Sequence, residues 1–403
     1  MRVCTCGSSR LKRLLVNIGI DVTALSTSAS GGIGTAVHSV LTEFVAMDTG
    51  HRFTLYGTRP PLVPFSDEVF DPGWPLRLGT GPLARSNILW LRSGVASMLA
   101  EDHVDVFWGA RQVVPSKPGR CATVVTVHDF WDRFYPGQQP LVNRMLNRWV
   151  VDTSVRDTDV ITPISHATAA DLERLYHVAG ERVAVVRLGV DVGVFSRRSQ
   201  ADVTTTAQRF GLDGPYVLAM DVFNPRKNAV AVLDAFAALP EAVRTSHRLV
   251  LLGRPRRTAR ALDVEGIAAR LGIADRVVLL GDLPFSDLLA LYSGAAALVF
   301  PSVYEGFGMP VLEAMACGCP VVTSNTSSLP EVAGDAALLV DPGDAAAVAS
   351  ALQRVLTDDA LSASLGAKGV ERAAAFTWRR TAEGMLSAFE RAVELRAASE
   401  ERH

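Results

Sequence analysis

Short apolar runs alternate with longer amphipathic segments along the chain, and the alternation comes in two sets separated by a break. The runs are rich in Val, Leu and Ile without an apolar–polar alternation, which is typical of parallel strands covered on both faces. The predicted strands of the first set are Leu14–Val22, Arg52–Gly57, Val104–Trp108, Ala122–Val127, Val160–Pro163 and Val183–Arg187. Those of the second set are Tyr216–Met220, Arg248–Leu252, Val277–Leu280, Ala297–Pro301, Val321–Ser324 and Ala337–Val340. Repeated strand–helix–strand units predict an α/β protein with two doubly wound parallel sheets.

The break between the two sets lies in a polar, strand-poor stretch at residues 189–214. We therefore predict an N-terminal Rossmann-like domain over residues 1–196 and a C-terminal Rossmann-like domain over 197–375, followed by a terminal helix over 376–403. Ligands of such sheets bind beyond the carboxyl ends of the strands. Two such domains facing each other would form a cleft, so the loops after the strands are where chemistry is expected.

Composition excludes several classes of protein. The 403 residues include 40 Lys+Arg and 42 Asp+Glu, and this balance argues against a dedicated nucleic-acid binder, which would normally be basic. Five cysteines, four of them in two C-x-C pairs and none in C-x-x-C spacing, indicate reduced thiols instead of a disulfide scaffold or a structural zinc site. No apolar run reaches eighteen residues, and the basic start followed by LLVNIGIDV indicates a first strand rather than a signal peptide. A cytoplasmic location is expected.

The segment SVYEGFGMPVLEAMACGCPVV follows the strand Ala297–Pro301 and combines four features of a ligand site. Glu305 lies on a strand-end loop, and Gly306 and Gly308 allow close backbone approach to a ligand. A proline then suits the first turn of a helix that would carry Glu313 in that turn. A glycine loop that opens a helix binds anions, and two carboxylates can accept paired sugar hydroxyls on either side of a diphosphate. On spacing alone, the acids are equally well explained as a helix-stabilising acid and an exposed loop acid.

The E-x7-E pattern in EGFGMPVLEAMACGCPVV resembles the signature of the family-4 retaining glycosyltransferases of the GT-B fold. Other segments resemble the family along most of the chain: GIDVTALSTSASGGIGTAVHSVL, TVHDFWDRFYPG, ITPISHATAADLERLY, RLGVDVGVF, DVFNPRKNAVAVLDAFAAL, GDLPFSDLLALYSGAAALVFPS and FTWRRTAEGML. The resemblance implies two facing Rossmann-like domains with a cleft between them, and a terminal helix that crosses back to the N-domain. It also implies a hexosyltransferase that uses a nucleotide-sugar donor.

The resemblance assigns Glu313 to the ribose hydroxyls of the donor and Glu305 to hydroxyls of the donor sugar. The backbone amides of three residues would lie near the sugar and the diphosphate, and Leu283 would also line the donor site. The residues with these amides are Phe307, Gly308 and Met309.

Arg226 and Lys227 follow the strand Tyr216–Met220, where two adjacent cations can neutralise a leaving diphosphate. A solvated pair of loop cations is the alternative. Many relatives carry an Arg a few residues upstream of the Lys, but the corresponding stretch here, MDVFN, has none. Gly32 and Gly34, before a predicted helix Gly34–Ala46, would bring N-domain amides to the same diphosphate, or would simply form a flexible turn.

His128 ends the strand Ala122–Val127 and is predicted to orient the reacting sugar or the acceptor, the alternative being a core histidine. Asp129 and Ser165 are weaker acceptor-site candidates. The family implies retention by front-face substitution, with the leaving phosphate oxygen taking the acceptor's proton, and no metal or other cofactor. The D-x-D motif Asp157-Thr158-Asp159 precedes a strand, which indicates a helix end and a capping turn rather than a metal site.

Several alternatives stay open. They are a nucleotide-sugar epimerase on the same fold, an inactive sugar-nucleotide-binding partner protein, and a nicotinamide enzyme, although GGIG lacks the spacing that the last requires. A GDP- or UDP-linked mannose, fucose or rhamnose is the expected donor. The acceptor is expected to be a hydroxyl of a glycan, a lipid-linked glycan or a small metabolite. The predicted helix Pro140–Arg156, with three Arg and Trp149, suggests a peripheral contact with the inner face of the membrane, or simply a solvated helix.

Overall fold

The structure is a computed structural model that describes residues 15–26, 31–47, 49–62, 73–135, 141–254 and 262–401. They form two compact units. Unit 1 contains the chain up to Val125, Val150–Val160 and the chain from Leu386 onward, and unit 2 contains Thr126–Trp149 and Ile161–Met385. The division into residues 1–196, 197–375 and 376–403 stays a prediction.

The first sheet has six strands in the order β3-β2-β1-β4-β5-β6. Its strands are β1 Asn17–Asp21, β2 Arg52–Gly57, β3 Leu76–Leu78, β4 Val106–Gly109, β5 Ala122–Val127 and β6 Val160–Pro163. The pairings of β1 with β2 and β4, of β2 with β3 and of β4 with β5 are parallel. This strand order is that of a Rossmann-type sheet, as the sequence predicts.

The second sheet repeats the same topology in the order β12-β11-β10-β7-β8-β9, and its pairings are parallel. Its strands are β7 Tyr216–Ala219, β8 Arg248–Leu252, β9 Val277–Leu280, β10 Ala297–Phe300, β11 Val321–Ser324 and β12 Leu338–Val340. Leu298 and Phe300 pack into one hydrophobic cluster, whereas Ala297 and Val299 pack into another. Both faces of the central strand are therefore buried, which explains its uninterrupted apolar sequence.

Helices connect the strands throughout the described chain. Those of its first part are α1 Gly31–Ala46, α2 Asn87–Leu89, α3 Val95–Glu101, α4 Trp131–Phe134, α5 Leu141–Asp157, α6 His166–Tyr176 and α7 Gln200–Arg209. Those of the remainder are α8 Ala229–Ala237, α9 Glu241–Ser246, α10 Val264–Arg270, α11 Phe285–Gly294, α12 Met309–Ala316, α13 Leu329–Ala333, α14 Ala345–Thr357, α15 Asp359–Ala374 and α16 Trp378–Glu400. In the part of the chain that the structure describes, no helix combines the length and the hydropathy needed to cross a bilayer.

One predicted strand of the first set is wrong. Val183–Arg187 is extended beside β6, with Ala184 N donating to Ile161 O and Val186 N to Pro163 O, but it makes only the isolated bridge of Val183 with Ile161. The sixth strand is instead β3, which has three residues with partly exposed side chains. The sequence does not predict this strand because the segment contains no apolar run. The strand-poor stretch at residues 189–214 also contains a helix, α7.

Candidate functional site

The strand order of the second sheet reverses between β7 and β10, which lie side by side at its centre. Loops at such a switch point diverge to opposite faces and leave a crevice beyond the carboxyl ends of the strands. The turn at Pro225–Lys227 follows β7, and the loop that carries Glu305 follows β10. Sheet topology therefore brings together the two segments that the sequence singles out.

Backbone hydrogen bonds fasten these two segments to each other. The carbonyl oxygen of Arg226 accepts from Val303 N at 2.8 Å and from Ser302 Oγ at 2.8 Å. The turn is shaped by Asn224, whose side chain caps Arg226 N, and by Asn228 in a left-handed conformation with φ 56°. The side chains at positions 226 and 227 are thus fixed relative to the Glu305 loop.

Lys227 and Glu305 form a buried ion pair, with 2.5 Å between Nζ and Oε1 and side chains that are 6% and 5% exposed. Ser302 Oγ lies 2.6 Å from the same carboxylate oxygen. Burial alone would raise the pKa of Glu305, but Lys227 and Arg226 outweigh it and hold this pKa below its usual value. Burial also lowers the pKa of Lys227, against the attraction of Glu305. The carboxylate therefore keeps the ammonium charged in a place where it would otherwise tend to lose its proton.

Arg226 pairs with Asp129, whose Oδ2 lies 3.1 Å from its Nη1. Burial opposes the charge of this guanidinium, but Glu305 and Asp129 together raise its pKa. Its Nε is buried without a hydrogen-bond partner in the described structure. Arg226 thus retains one N–H that is unused among the described residues.

The two glycines of the Glu305 loop are required for different reasons. A Cβ on Gly306 would lie 1.9 Å from the carbonyl oxygen of His128, so this glycine permits close contact with a protein backbone rather than with a ligand. Gly308 has φ 111° and precedes the first residue of α12, a conformation that side chains rarely adopt. Phe307 is buried and packs edge-on against Phe376, with ring centres 5.8 Å apart.

Two serines in the loop after β11, which the sequence pattern does not single out, hold the Glu305 loop in place. Glu305 N donates to Ser327 Oγ at 2.8 Å, and Ser328 Oγ donates to the carbonyl oxygens of Glu305 at 3.0 Å and of Phe307 at 2.7 Å. The only available signal was a run of small polar residues, SNTSS, after a predicted strand. The backbone of the loop, one amide and two carbonyls, is therefore held by a neighbouring loop of the same sheet.

Glu313 is the fifth residue of α12 and lies just beyond the first turn, in which the sequence predicts it, because the helix begins at Met309 and its first turn contains no acid. Its Oε2 accepts a hydrogen bond of 3.0 Å from the hydroxyl of Tyr292. Burial raises the pKa of the half-buried Glu313 carboxyl to about 7, although Tyr292 and Lys227 oppose the shift. This group therefore titrates near neutrality.

Glutamine at position 313 should stabilise the protein above pH 7. The folded state binds a proton at this carboxyl between its ordinary pKa of 4.5 and about 7, so wild-type stability falls as pH rises through that window. Glu313→Gln keeps the shape and the acceptor for Tyr292, and should raise the free energy of unfolding at pH 8 by up to roughly 3 kcal/mol. Urea unfolding at pH 5, 6, 7 and 8 checks this. An advantage that is the same at every pH would contradict it.

The remaining predicted donor-site residues fall into both units. In unit 2, Met309 opens α12, and Leu283 lines a cavity of about 400 Å³ beyond the ends of β7, β8 and β9. Gly32 and Gly34 lie in unit 1 inside the first turn of α1, which begins at Gly31 and not at Gly34 as predicted. Their role at a diphosphate stays a prediction.

His128 directly follows β5 and is half-buried, next to Asp129. Ser165 is completely buried and caps α6, accepting from Thr168 N at 3.0 Å. Its hydroxyl therefore already has a structural task. The roles of His128, Asp129 and Ser165 toward an acceptor stay predictions.

The acids of the D-x-D motif each engage cations in unit 1. Asp157 pairs with Arg92 at 3.0 Å and Asp159 with Arg396 at 3.3 Å. Within the described residues, no group of three or more His, Cys, Asp or Glu side chains is arranged to hold a metal ion. The motif is thus a structural element at the junction of α5 and β6.

Comparison with known proteins matches both halves of the chain. The family model for glycosyl transferases group 1 matches residues 204–372, and the model for glycosyltransferase family 4 matches residues 30–194. O-antigen chain mannosyltransferase B of Escherichia coli is 31% identical over 286 residues, which cover 70% of this chain and 74% of that protein. The serotype-specific mannosyltransferase WbdA of Escherichia coli is 29% identical over 62% of this chain, which spans about a third (32%) of its length. D-inositol 3-phosphate glycosyltransferase of Acidothermus cellulolyticus is 34% identical over 58% of this chain and 54% of its own.

Two solved structures show the same fold at low sequence identity. Sucrose-phosphate synthase from Thermosynechococcus elongatus superposes with a TM-score of 0.74 at 23% identity, covering 93% of this chain and 98% of its own. Anabaena HepE, in complex with UDP and glucose, superposes with a TM-score of 0.71 at 19% identity, covering 92% and 98%. The likeness spans both six-stranded sheets.

Proposed function

Since the chain belongs to the family-4 glycosyltransferases (glycosyl transferases group 1) and has their GT-B fold, we propose that it transfers a mannose-like hexose or deoxyhexose from a nucleotide-diphosphate donor to a hydroxyl acceptor. It is a glycosyltransferase. The observation that carries the finer proposal is the convergence of Arg226, Lys227 and Glu305 at the switch point of the second sheet. The mannosyltransferases among its relatives support the choice of sugar.

In this proposal the diphosphate of the donor lies against Arg226 and Lys227. Lys227 has N–H groups beyond the one that Glu305 accepts, and the Nε of Arg226 has no partner in the described structure. Negative charge grows on the diphosphate as the sugar leaves. Fixed cations in a buried site therefore stabilise the transition state more than the ground state.

The ribose and the base of the donor nucleoside would contact two different parts of unit 2. Glu313 would accept the ribose hydroxyls, a role that its carboxylate fills best above its pKa of about 7. The cavity lined by Leu283 would take the base, guanine or uracil, and HepE provides a precedent on this fold because it holds UDP. The proposed donor is accordingly GDP- or UDP-linked.

We propose transfer with retention, by a front-face substitution that needs no metal. The carboxylate of Glu305 is bound by Lys227 and Ser302, and that of Asp129 is bound by Arg226. Neither carboxylate is therefore placed as a covalent nucleophile. The acceptor oxygen forms a bond to the anomeric carbon while the bond between that carbon and the leaving phosphate oxygen breaks. The leaving phosphate oxygen takes the acceptor's proton. His128 would orient the sugar or the acceptor.

The proposed acceptor is a hydroxyl of a glycan, a lipid-linked glycan or a small metabolite. A peripheral contact with an anionic membrane is part of the proposal because α5 carries exposed apolar side chains in a basic sequence. Met145 is 63% and Trp149 is 51% exposed in the stretch NRMLNRW. Amphipathic helices with this composition bind at the lipid interface.

A panel of GDP-mannose, GDP-fucose, UDP-glucose and dTDP-rhamnose tests the donor. The bound nucleotide sugar should raise the melting midpoint and be slowly hydrolysed. Lys227→Ala should lower turnover at least about a hundredfold, since it removes a cation that acts on the developing charge. Glu313→Ala should reduce the midpoint shift, because the ribose loses its acceptor.

Lys368→Ala is the matched control, since Lys368 forms an exposed ion pair with Asp335 at 2.7 Å. It should behave as wild type in binding and turnover. Shifts are compared with each variant's own unliganded midpoint. Wild-type turnover in Lys227→Ala together with an unchanged shift in Glu313→Ala would contradict these assignments.

A further inference from the structure

Tyr304 lies directly before Glu305, and its hydroxyl joins two segments that are far apart in sequence. Tyr304 Oη accepts a hydrogen bond of 3.1 Å from Phe130 N and donates one of 2.8 Å to Asp171 Oδ2. The side chain is 7% exposed and packs among aromatic rings whose centres lie 5.6–6.4 Å away, those of Trp131, Phe134 and Tyr135. The phenol is therefore fixed, and all of these groups belong to unit 2.

The amide that Tyr304 binds belongs to the segment that carries His128 and Asp129. At one end of this segment the carbonyl of His128 lies against Gly306, and in its middle Asp129 pairs with Arg226. The hydrogen bond from Phe130 N to the Tyr304 hydroxyl is the third contact between this segment and the rest of the site. Without the phenol oxygen, the buried N–H of Phe130 would lose its partner, and the backbone beyond Asp129 would lose this hydrogen bond to the residue next to Glu305.

The Glu305 loop itself does not depend on that phenol. Val303 N donates to Arg226 O at 2.8 Å, and Glu305 N donates to Ser327 Oγ at 2.8 Å. Ser302 Oγ and Lys227 Nζ both contact the Glu305 carboxylate. Loss of the Tyr304 hydroxyl should therefore loosen the backbone at Phe130 and leave the groups of the proposed donor site in place.

We propose that Tyr304 is a positioning residue, which holds the segment His128–Phe130 against the Glu305 loop and thereby sets the rate of sugar transfer rather than the affinity for the donor. The proposal rests on the proposed function for its kinetic part only. The mechanical part, that the phenol fixes the Phe130 amide, is a property of unit 2 alone. Two separate measurements address the two parts.

The kinetic measurement uses Tyr304→Phe with the best donor from the GDP-mannose, GDP-fucose, UDP-glucose and dTDP-rhamnose panel. We expect kcat for donor turnover to fall about tenfold, as for loss of one buried hydrogen bond, with the donor KM within twofold of wild type. A merely structural role would not separate kcat from KM. Unchanged kcat, or equal changes in both constants, would overturn the proposal.

The mechanical measurement is amide hydrogen exchange by mass spectrometry, compared between peptides that cover residues 128–135 and 302–309. Tyr304→Phe should accelerate exchange in the first peptide and leave the second unchanged. No acceleration at 128–135 overturns the proposal even if no donor is turned over. If the wild-type protein turned over none of the donors while Tyr304→Phe still showed this exchange pattern, the proposed function and the kinetic part would be overturned instead.

Two control variants separate the phenol's position from the loss of a phenol as such. Tyr216→Phe removes another buried hydroxyl of unit 2, which donates to Leu291 O at 2.9 Å, and should change neither kcat nor exchange at 128–135. Asp171→Asn keeps an oxygen that accepts from Tyr304 and should retain more than half of the wild-type kcat. A tenfold loss of kcat in Tyr216→Phe as well would overturn the proposal.

Discussion

Alanine at position 305 should destabilise the folded chain by about 3–5 kcal/mol and reduce sugar transfer to a small residual rate. Glu305 is 5% exposed and is the carboxylate partner of Lys227, which is 6% exposed. Removing one member of a buried ion pair leaves the other charge in a medium of low dielectric without compensation. Urea unfolding measures the loss of stability, and donor turnover measures the loss of activity.

The same variant should acquire a new pH dependence. Burial already lowers the pKa of Lys227, and Glu305 is the main group that opposes this shift. In Glu305→Ala the pKa of Lys227 should fall further, so the amine loses its proton at a lower pH than in the wild type. Residual turnover should then increase as pH falls through the new pKa, because protonation restores the cation that we propose faces the leaving diphosphate. Residual turnover that only decreases on acidification would contradict this explanation.

A double variant tests the pairing directly. Removing both charges with Glu305→Ala and Lys227→Met should destabilise the protein less than Glu305→Ala alone, because no buried charge is left uncompensated. The exposed pair of Asp335 with Lys368, 83% and 48% exposed, provides the control, and Asp335→Ala should leave stability nearly unchanged. Additive losses in the double variant would show that the two residues act independently.

The sequence predicts the frame of this site because its signals are local. The apolar runs of β7 and β10 and the E-x7-E motif each lie within a short segment, and the rule for ligand position in parallel sheets then places their loops together. The sequence alone does not predict that Lys227 binds Glu305, 78 positions away. Nor does it identify Ser327 and Ser328, because a serine that binds a backbone carbonyl has the same local sequence as an exposed one.

Errors in the predicted fold have a similar origin. Val183–Arg187 has the composition of a strand, but only two of its backbone amides find carbonyls on the neighbouring β6. β3 is a strand because it pairs with β2 at Leu76, Arg77 and Leu78, although its sequence carries no apolar run. Whether an edge segment forms a strand depends on its pairing with a neighbouring strand, whereas a central strand is recognisable from the apolar residues that it buries.

Alanine at position 306 should reduce turnover at least about a hundredfold, with a smaller loss of folding free energy of about 1–3 kcal/mol. A Cβ at this position would lie 1.9 Å from the carbonyl oxygen and 3.0 Å from the carbonyl carbon of His128. Both atoms are backbone, so no side chain can rotate away to make room. The Glu305 loop and the His128 segment must therefore separate, and a displacement of about 1 Å in catalytic groups is sufficient for a loss of this size.

Gly180→Ala is the matched control for that prediction, because a Cβ on Gly180 would meet no atom within 4 Å and the residue lies in the same unit. It should leave turnover and the urea midpoint unchanged. Whether Gly306→Ala loses mainly stability or mainly turnover is more informative than the size of either loss. If stability fell by several kcal/mol while the remaining folded protein turned over donor at the wild-type rate, the contact between Gly306 and His128 would serve folding alone. A large loss of turnover in a protein that still unfolds cooperatively would instead show that the spacing of these two backbones is set for transfer.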